Sequence, residues 1–233
     1  MLAGLLLAAV TSAGVSAQPV SAPLPPPRPD RRAPPEPAAK PAPAETGPAP
    51  AAAAAADAAA CGDRLARLGV RFEERPAIRE NACSVDDPVL VSGLPDGLEV
   101  KPPALMTCPL AEALARWTLD TLTAEADRLL QTAATGLLIG TSYECRQQRS
   151  GAKLSEHAFG NGVDVMGFEF EKRSPIAVGS HPEGSPEAEF QAAVHKGACA
   201  VFTTVLGPGS DAAHGDHLHL DMRGRRGGYR ICQ

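Results

Sequence analysis

The chain has 233 residues and a formal net charge of −5. This acidic balance gives no indication of nucleic-acid binding, so we expect no nucleic-acid partner. One basic cluster lies near the end of the chain, and we expect it to be a solvated tail, with contact to an anionic polymer as the minor alternative: Arg223, Arg225, Arg226 and Arg230.

Residues 1–17 are rich in Leu, Ala and Val and end in Val15-Ser16-Ala17, a pattern typical of a secretory signal peptide. The basic segment that normally precedes such an apolar core is missing, and an apolar N-terminal tail is the alternative. The stretch is too short to be a convincing membrane span, so we expect no transmembrane span in the mature chain. The predicted localisation is export to the periplasm or cell envelope.

Residues 18–60 consist almost entirely of Pro and Ala with scattered charges. Such a segment cannot bury enough apolar surface to offset its chain entropy, so it is predicted to be a disordered, semi-rigid linker. A spacer without a specific role is an equally good interpretation. The remaining residues, 61–233, suit one domain of ordinary size.

Hydrophobic periodicity, caps and turn residues predict three helices and four strands within this domain. The helices are expected at residues 61–68, 108–130 and 186–205, and the strands at 89–92, 137–143, 163–170 and 217–222. Ser185 is the predicted N-cap of the third helix, with Gly207-Pro208 ending it. Trp117, on the apolar side of the second helix, is predicted to be a core residue. Because helices and strands do not alternate strictly, the predicted fold class is α+β, with a small antiparallel sheet flanked by helices.

All cysteines lie inside the domain, their number is even, and none forms a close Cys-x-x-Cys pair. Together with an export signal this pattern predicts disulfides rather than a zinc knuckle or redox motif. Six cysteines allow about 15 pairings, and the sequence does not decide between them. We predict sequential pairing, which joins Cys61 to Cys83, Cys108 to Cys145, and Cys199 to Cys232.

Two segments carry the residues of a predicted divalent-metal site. In the first, His157 and Asp164 supply a nitrogen and an oxygen ligand, with two glycines between them that let the backbone bend. In the second, residues 217–222 alternate strictly between polar and apolar side chains, so one face of a strand packs on the core while histidines face a cleft. A later histidine completes the three protein ligands that a catalytic zinc usually has.

The spacing Ser155-x-His157-x-x-Gly160-x-x-x-Asp164, followed by His-x-His, resembles the metal motif of bacterial peptidoglycan peptidases of the D-Ala-D-Ala carboxypeptidase and LAS type. One departure is Gly162, where those peptidases usually have Ala. From residue 61 to 232 the chain resembles more closely the extensin-like C-terminal domain family of bacteria. That closer resemblance rests on the segments at residues 142–146, 154–158, 199–205, 206–208 and 217–221. Both resemblances imply an α+β, LAS-peptidase-like fold.

The resemblance also implies a role for each polar residue. His219 is the expected third zinc ligand, and His217 lies beside the metal. Asp216 and His217 are the predicted catalytic residues, one of which accepts a proton. Arg146 and Ser155 are the predicted substrate-binding residues, although a turn arginine and a loop cap are alternatives.

Further roles are open at two other positions. Asp221 is a candidate for orienting a histidine through a hydrogen bond. His214 is either part of the cleft or a plain loop residue.

These expectations lead to two functional hypotheses. The first is an exported, Zn²⁺-dependent hydrolase that acts on peptidoglycan stem peptides. The second is a wall-binding or structural domain with the same fold and no activity. Zinc would polarise the scissile carbonyl and make water acidic enough to attack near neutral pH.

Overall fold

The structure is a computed structural model that describes residues 50–148, 151 and 153–233, with side chains from residue 58 onwards. The predicted signal peptide at 1–17 and most of the predicted linker at 18–60 lie outside the described residues. No helix within the described ranges is long and apolar enough to cross a membrane.

The strands form one large sheet and one small hairpin. In chain order they are β1 (Arg71–Glu74), β2 (Ile78–Glu80), β3 (Cys83–Val85), β4 (Pro88–Gly93), β5 (Glu99–Thr107), β6 (Ala134–Ile139), β7 (Gly162–Phe170), β8 (Ile176–Ala177), β9 (Thr204–Leu206), β10 (Leu218–Asp221) and β11 (Ile231–Cys232). Strands β2 and β3 pair with each other, and the other nine make a sheet of order β1-β4-β5-β6-β7-β10-β9-β11 with β8 alongside β7.

The predicted small antiparallel sheet is therefore wrong in size and in direction, although a mixture of helices and strands is present. The β5–β6 and β9–β11 pairs are parallel, so the sheet is mixed. Seven strands were not predicted, namely β1, β2, β3, β5, β8, β9 and β11. Strand β5 contains Pro102 and Pro103, and only three of its nine residues are buried, so it lacks a strand-like apolar pattern.

The helices among the described residues are α1 (Pro50–Arg67), α2 (Cys108–Trp117), α3 (Thr123–Leu130) and α4 (Pro186–Val201). A π-helical turn, Thr118–Leu122, joins α2 to α3, so the predicted helix at 108–130 is confirmed as one continuous helical segment. The first helix begins at Pro50, earlier than the predicted residue 61. Ser185 caps α4 by accepting a hydrogen bond from the backbone of Ala188, as predicted.

The main core lies between these helices and the large sheet. Trp117 is fully buried, as predicted, and its indole N–H donates to the carbonyl oxygen of Val194 at 3.0 Å. Its ring also lies near those of Phe168 and Phe202. Helix α4 crosses the π-helical turn so closely that a Cβ on Gly197 would lie 2.3 Å from a side-chain carbon of Thr121.

The end of α4 differs from the prediction in a way that matters for the site. The helix ends at Val201, Phe202 is extended, and Thr204–Leu206 is strand β9 rather than helix. The run from Thr203 to Val205 is β-branched, which favours a strand once a partner strand is available. Its partner is β10, in which Asp221 lies directly opposite Thr204.

The six cysteines form three disulfides, and one of the predicted pairs, Cys199–Cys232, is confirmed. The other two predicted pairs are wrong, because the bonds join Cys61 to Cys108 and Cys83 to Cys145. Each observed bond links elements that are distant in sequence but adjacent in space. Helix α1 packs on α2, and the loop after β6 lies beside the β2–β3 hairpin.

Candidate metal centre

Three side chains from two adjacent strands and a 3-10 turn converge at one point. His157 Nε2 lies 3.2 Å from Asp164 Oδ1 and 3.2 Å from His219 Nδ1, while His219 Nδ1 lies 2.9 Å from Asp164 Oδ1. The ligand atoms of a tetrahedral zinc site with bonds of about 2.0–2.1 Å are roughly 3.3 Å apart. The spacing of these three atoms is close to that value, so the residues fit a small cation.

Local hydrogen bonds orient His157. The residue lies in the 3-10 turn Glu156–Phe159, where the Ser155 hydroxyl accepts a bond from the His157 backbone N–H. Gly160 ends the turn with a φ of 61°, a left-handed conformation that favours glycine. The ring Nδ1 faces the carbonyl oxygen of Ser142 at 2.6 Å, and a carbonyl only accepts, so Nδ1 carries a proton. In the neutral ring, Nε2 therefore presents a lone pair to the cluster.

The sheet register places the other two side chains. His219 in β10 is directly opposite Asp164 in β7. Leu218 and Leu220 are fully buried on the other face of β10, which confirms the predicted alternation. His219 Nε2 donates to Asp221 Oδ2 at 3.2 Å, so in the neutral ring Nδ1 is the free acceptor. This is the orienting role considered for Asp221.

The electrostatics of the cluster favour a positive charge at its centre. Burial would raise the pKa of Asp164, but hydrogen bonds with His157 and His219 outweigh it and hold that pKa well below the usual range. Burial would lower the pKa of His219, but hydrogen bonds to Asp164 and Asp221 raise it to about 9. Two ring nitrogens and one carboxylate oxygen thus face each other, and a proton or a metal ion is needed to relieve their repulsion.

His217 lies beside the cluster rather than in it. Its Nε2 is 3.8 Å from Asp164 Oδ1, and its Nδ1 is 2.9 Å from Asp216 Oδ1. The His217 side chain is 12% exposed, whereas that of Asp216 is 79% exposed. Asp216 can therefore hold the proton on Nδ1 of His217 and leave Nε2 turned towards the site.

His214 belongs to the same group of rings. Its Nδ1 bonds to Asp211 Oδ1 at 2.7 Å, and its ring centroid is 5.2 Å from that of His217 and 5.9 Å from that of His219. The hydrogen bond with His214 is the main cause that lowers the pKa of Asp211. Asp211 was not predicted as a site residue. The signal for it is an Asx turn, in which its carboxylate accepts from the backbone of Ala213 and His214.

The cluster opens into a cleft of about 520 Å³ that Arg146 and Ser155 both line. Arg146 Nε donates to Glu144 at 2.6 Å and the side chain is 31% exposed, so part of the guanidinium remains accessible. Ser155 is buried and caps the turn of His157, which matches the alternative role considered for it.

A second cleft of about 600 Å³ adjoins the first. It shares Asp164, Ala213 and His217 with the first cleft, and small residues make up much of its remaining wall, among them Gly140, Thr141, Ala212 and Gly215. Asp164 and His217 therefore line both clefts, and a ligand in either cleft can contact them.

The basic cluster near the C-terminus is not simply a solvated tail, and that prediction is corrected. Arg223 and Arg225 line the first cleft, and Arg225 is hydrogen-bonded to Thr203 and Thr204. Arg230 donates to carbonyl oxygens at the end of α4. Sequence reasoning missed the roles of Arg225 and Arg230 because their hydrogen-bond partners are backbone and hydroxyl oxygens rather than acidic residues.

Comparison with known proteins adds one finding. A family model described as "Extensin-like protein C-terminus" matches residues 59–233. No curated protein and no solved structure matches the chain.

Proposed function

The chain belongs to the family of extensin-like C-terminal domains, and from its site we propose that the protein is an exported zinc-dependent hydrolase of peptidoglycan stem peptides. The family match covers the whole part of the chain in which the site residues lie. The proposal of hydrolysis rests on the site, because belonging to this family does not by itself identify a reaction.

One observation carries the proposal. Nε2 of His157, Nδ1 of His219 and Oδ1 of Asp164 converge within 3.2 Å of one another, and the second ring nitrogen of each histidine is already hydrogen-bonded elsewhere. Two imidazole nitrogens and one carboxylate oxygen are a donor set that suits zinc better than calcium or magnesium. When bound, zinc would supply Lewis acidity towards an amide carbonyl and towards water.

The neighbouring residues supply the groups that amide hydrolysis needs. His217, held by Asp216, places Nε2 where it can accept a proton from an attacking water and pass it to the leaving amine. Arg146 lines the cleft and can bind a carboxylate or a developing oxyanion.

The substrate class follows from the resemblance of the motif and from the shape of the site. The spacing of Ser155, His157, Gly160 and Asp164 resembles that of the LAS-type peptidases, which act on wall peptides. Two clefts that meet at the cluster suit a peptide attached to a larger polymer. The predicted linker would let an exported domain reach such a polymer.

The test is product release from isolated peptidoglycan by the zinc-loaded full chain, with His157→Ala as the inactive control. Mass spectrometry should find new peptide termini with the parent and none with the variant. If the parent releases nothing yet sediments with the wall material, the protein is a wall-binding domain rather than a hydrolase.

A further inference from the structure

A hydrogen-bonded chain leads from Arg225 to the candidate metal ligand His219. Arg225 donates one N–H to the carbonyl oxygen of Thr203 at 2.9 Å and another to Oγ1 of Thr204 at 2.6 Å. The Thr203 hydroxyl lies 3.4 Å from Asp221 Oδ1, and Thr204 is the cross-strand neighbour of Asp221, which is the hydrogen-bond partner of His219. The guanidinium therefore holds the two consecutive residues that surround this carboxylate.

The direction of each bond in the chain follows from the chemistry of the groups. A guanidinium only donates, so Oγ1 of Thr204 must accept from Arg225. A hydroxyl has a single proton, which is then available to Asp221, the residue opposite Thr204 in the β9–β10 pair. Fixing one side of the hydroxyl thus directs its proton towards the carboxylate.

Asp221 is almost surrounded by donors. Its Oδ1 accepts from the backbone N–H of Arg223 at 3.0 Å, and its side chain is 5% exposed. The Thr203 hydroxyl lies 3.2 Å from the backbone oxygen of Asp221 and 3.4 Å from Oδ1, so its single proton can go to either. The other carboxylate oxygen, Oδ2, lies 3.2 Å from Nε2 of His219 and can accept its proton. With Nε2 bonded in this way, Nδ1 is the ring nitrogen left for the metal.

We propose that Arg225 is a positioning residue of the metal centre, which acts through Thr204 and Asp221 to keep the His219 Nε2–H bonded and Nδ1 turned towards Asp164. The inference rests on the proposed function in that it concerns the same zinc site. It goes further by assigning a role to a basic residue that touches none of the three candidate ligands directly.

The test uses two variants that interrupt the hydrogen-bond pathway from Arg225 to His219 at different bonds, each with a matched control. Arg225→Met removes the hydrogen-bond donor. Arg230→Met is its control, because Arg230 also donates to backbone oxygens but takes no part in the hydrogen-bond pathway to His219. Thr204→Val removes the hydroxyl, and Thr204→Ser retains it. All are made in the full chain.

The first readout is zinc affinity by competition with a chromophoric chelator. Loss of an outer hydrogen-bond partner typically weakens metal binding about 10–100-fold, and we expect roughly 10-fold for Arg225→Met and for Thr204→Val. The two control variants should stay close to the parent. Combining Arg225→Met with Thr204→Val should add little, because both changes break one pathway.

The second readout needs no metal. In the metal-free protein, the His219 Nε2–H should give a slowly exchanging downfield proton resonance in the parent and in both controls, and this signal should be lost in Arg225→Met and Thr204→Val. If the signal persists in both variants, or disappears equally in Arg230→Met, the positioning role is wrong. If the parent fails to bind zinc but the resonance behaves as expected, the proposed function fails while the positioning role of Arg225 stands.

Discussion

His157 donates its Nδ1–H to the carbonyl oxygen of Ser142 over 2.6 Å. This bond fixes the plane of a ring that is only 1% exposed, and it directs Nε2 to the cluster with Asp164 and His219. Ser142 is itself held, since its hydroxyl accepts from the Leu105 backbone N–H at 3.1 Å. The ring of this candidate ligand is therefore oriented by hydrogen bonds within the fold.

Removing any one of the three candidate ligands should abolish tight zinc binding. The full chain should bind about one zinc, because the cluster offers three protein ligands. His157→Ala, Asp164→Ala and His219→Ala should each bind only weakly when zinc content is measured by elemental analysis after dialysis. His181→Ala is the control, since His181 bonds to the Ala177 carbonyl and is not part of the three-residue cluster. Retention of zinc by all three variants would show that the site is wrongly assigned.

Zinc binding should release a proton from His219. Its pKa is raised from 6.5 to about 9 in the metal-free protein, so between these values His219 is charged and must lose a proton to become a ligand. Calorimetry in buffers of different ionisation heat should give about one proton per zinc in this pH range. No proton release would mean that His219 is not a ligand.

The raised pKa of His219 should also make the stability of the metal-free protein depend on pH. A raised pKa contributes stability that is complete below pH 6.5 and is lost as the pH rises through about 9. Denaturant unfolding of the metal-free parent should show this loss. His219→Gln should lack it, and an equal loss in that variant would assign the effect to another group.

The Cys83–Cys145 disulfide should support the site, whereas Cys61–Cys108 should support the fold alone. Cys145 directly precedes Arg146 and belongs to the loop that contains Ser142. Replacing either pair by serines should cost about 2–4 kcal/mol in denaturant unfolding. Zinc affinity should fall only when Cys83 and Cys145 are replaced. An equal fall for both pairs would remove the special role of Cys83–Cys145, and peptide mapping of the oxidised protein checks the pairing itself.

Trp117 should matter for stability and not for the site. Trp117→Phe removes the hydrogen bond to Val194 and leaves a small cavity, so we expect a loss of about 1–3 kcal/mol. Leu119→Ala, at an exposed position in the same helical segment, should change stability by no more than about 0.5 kcal/mol. Chemical denaturation measures both, and a strong fall in zinc affinity for Trp117→Phe would contradict the separation of core and site.

The candidate site was largely predictable because its residues lie in short motifs. The spacing from Ser155 to Asp164 and the alternation from His217 to Asp221 are local patterns, and the structure brings His157, Asp164 and His219 together. The roles of Asp211, Thr204 and Arg225 depend on contacts with distant or backbone partners, which no local pattern encodes.

The fold was predictable where one element has its own periodicity. The helical segment containing Trp117 and strands β4, β7 and β10 follow from apolar spacing, with ends that shift by one or two residues. Strand β9 was missed because residues 204–206 continue the apolar pattern of α4, and only pairing with β10 makes them a strand. Disulfide pairing depends on which elements become neighbours, so sequential pairing failed at Cys83.

The most direct test of the account compares zinc content and hydrolysis in variants of His217 and Asp216. Both residues lie outside the three-ligand cluster, so His217→Gln and Asp216→Asn should keep zinc and fold. A general base contributes typically about 10²–10⁴-fold to rate, and product release from stem peptides should fall by this order in His217→Gln. Full activity in both zinc-loaded variants would contradict the assigned proton acceptor. A zinc-loaded parent that cleaves no wall peptide would contradict the proposed hydrolase itself.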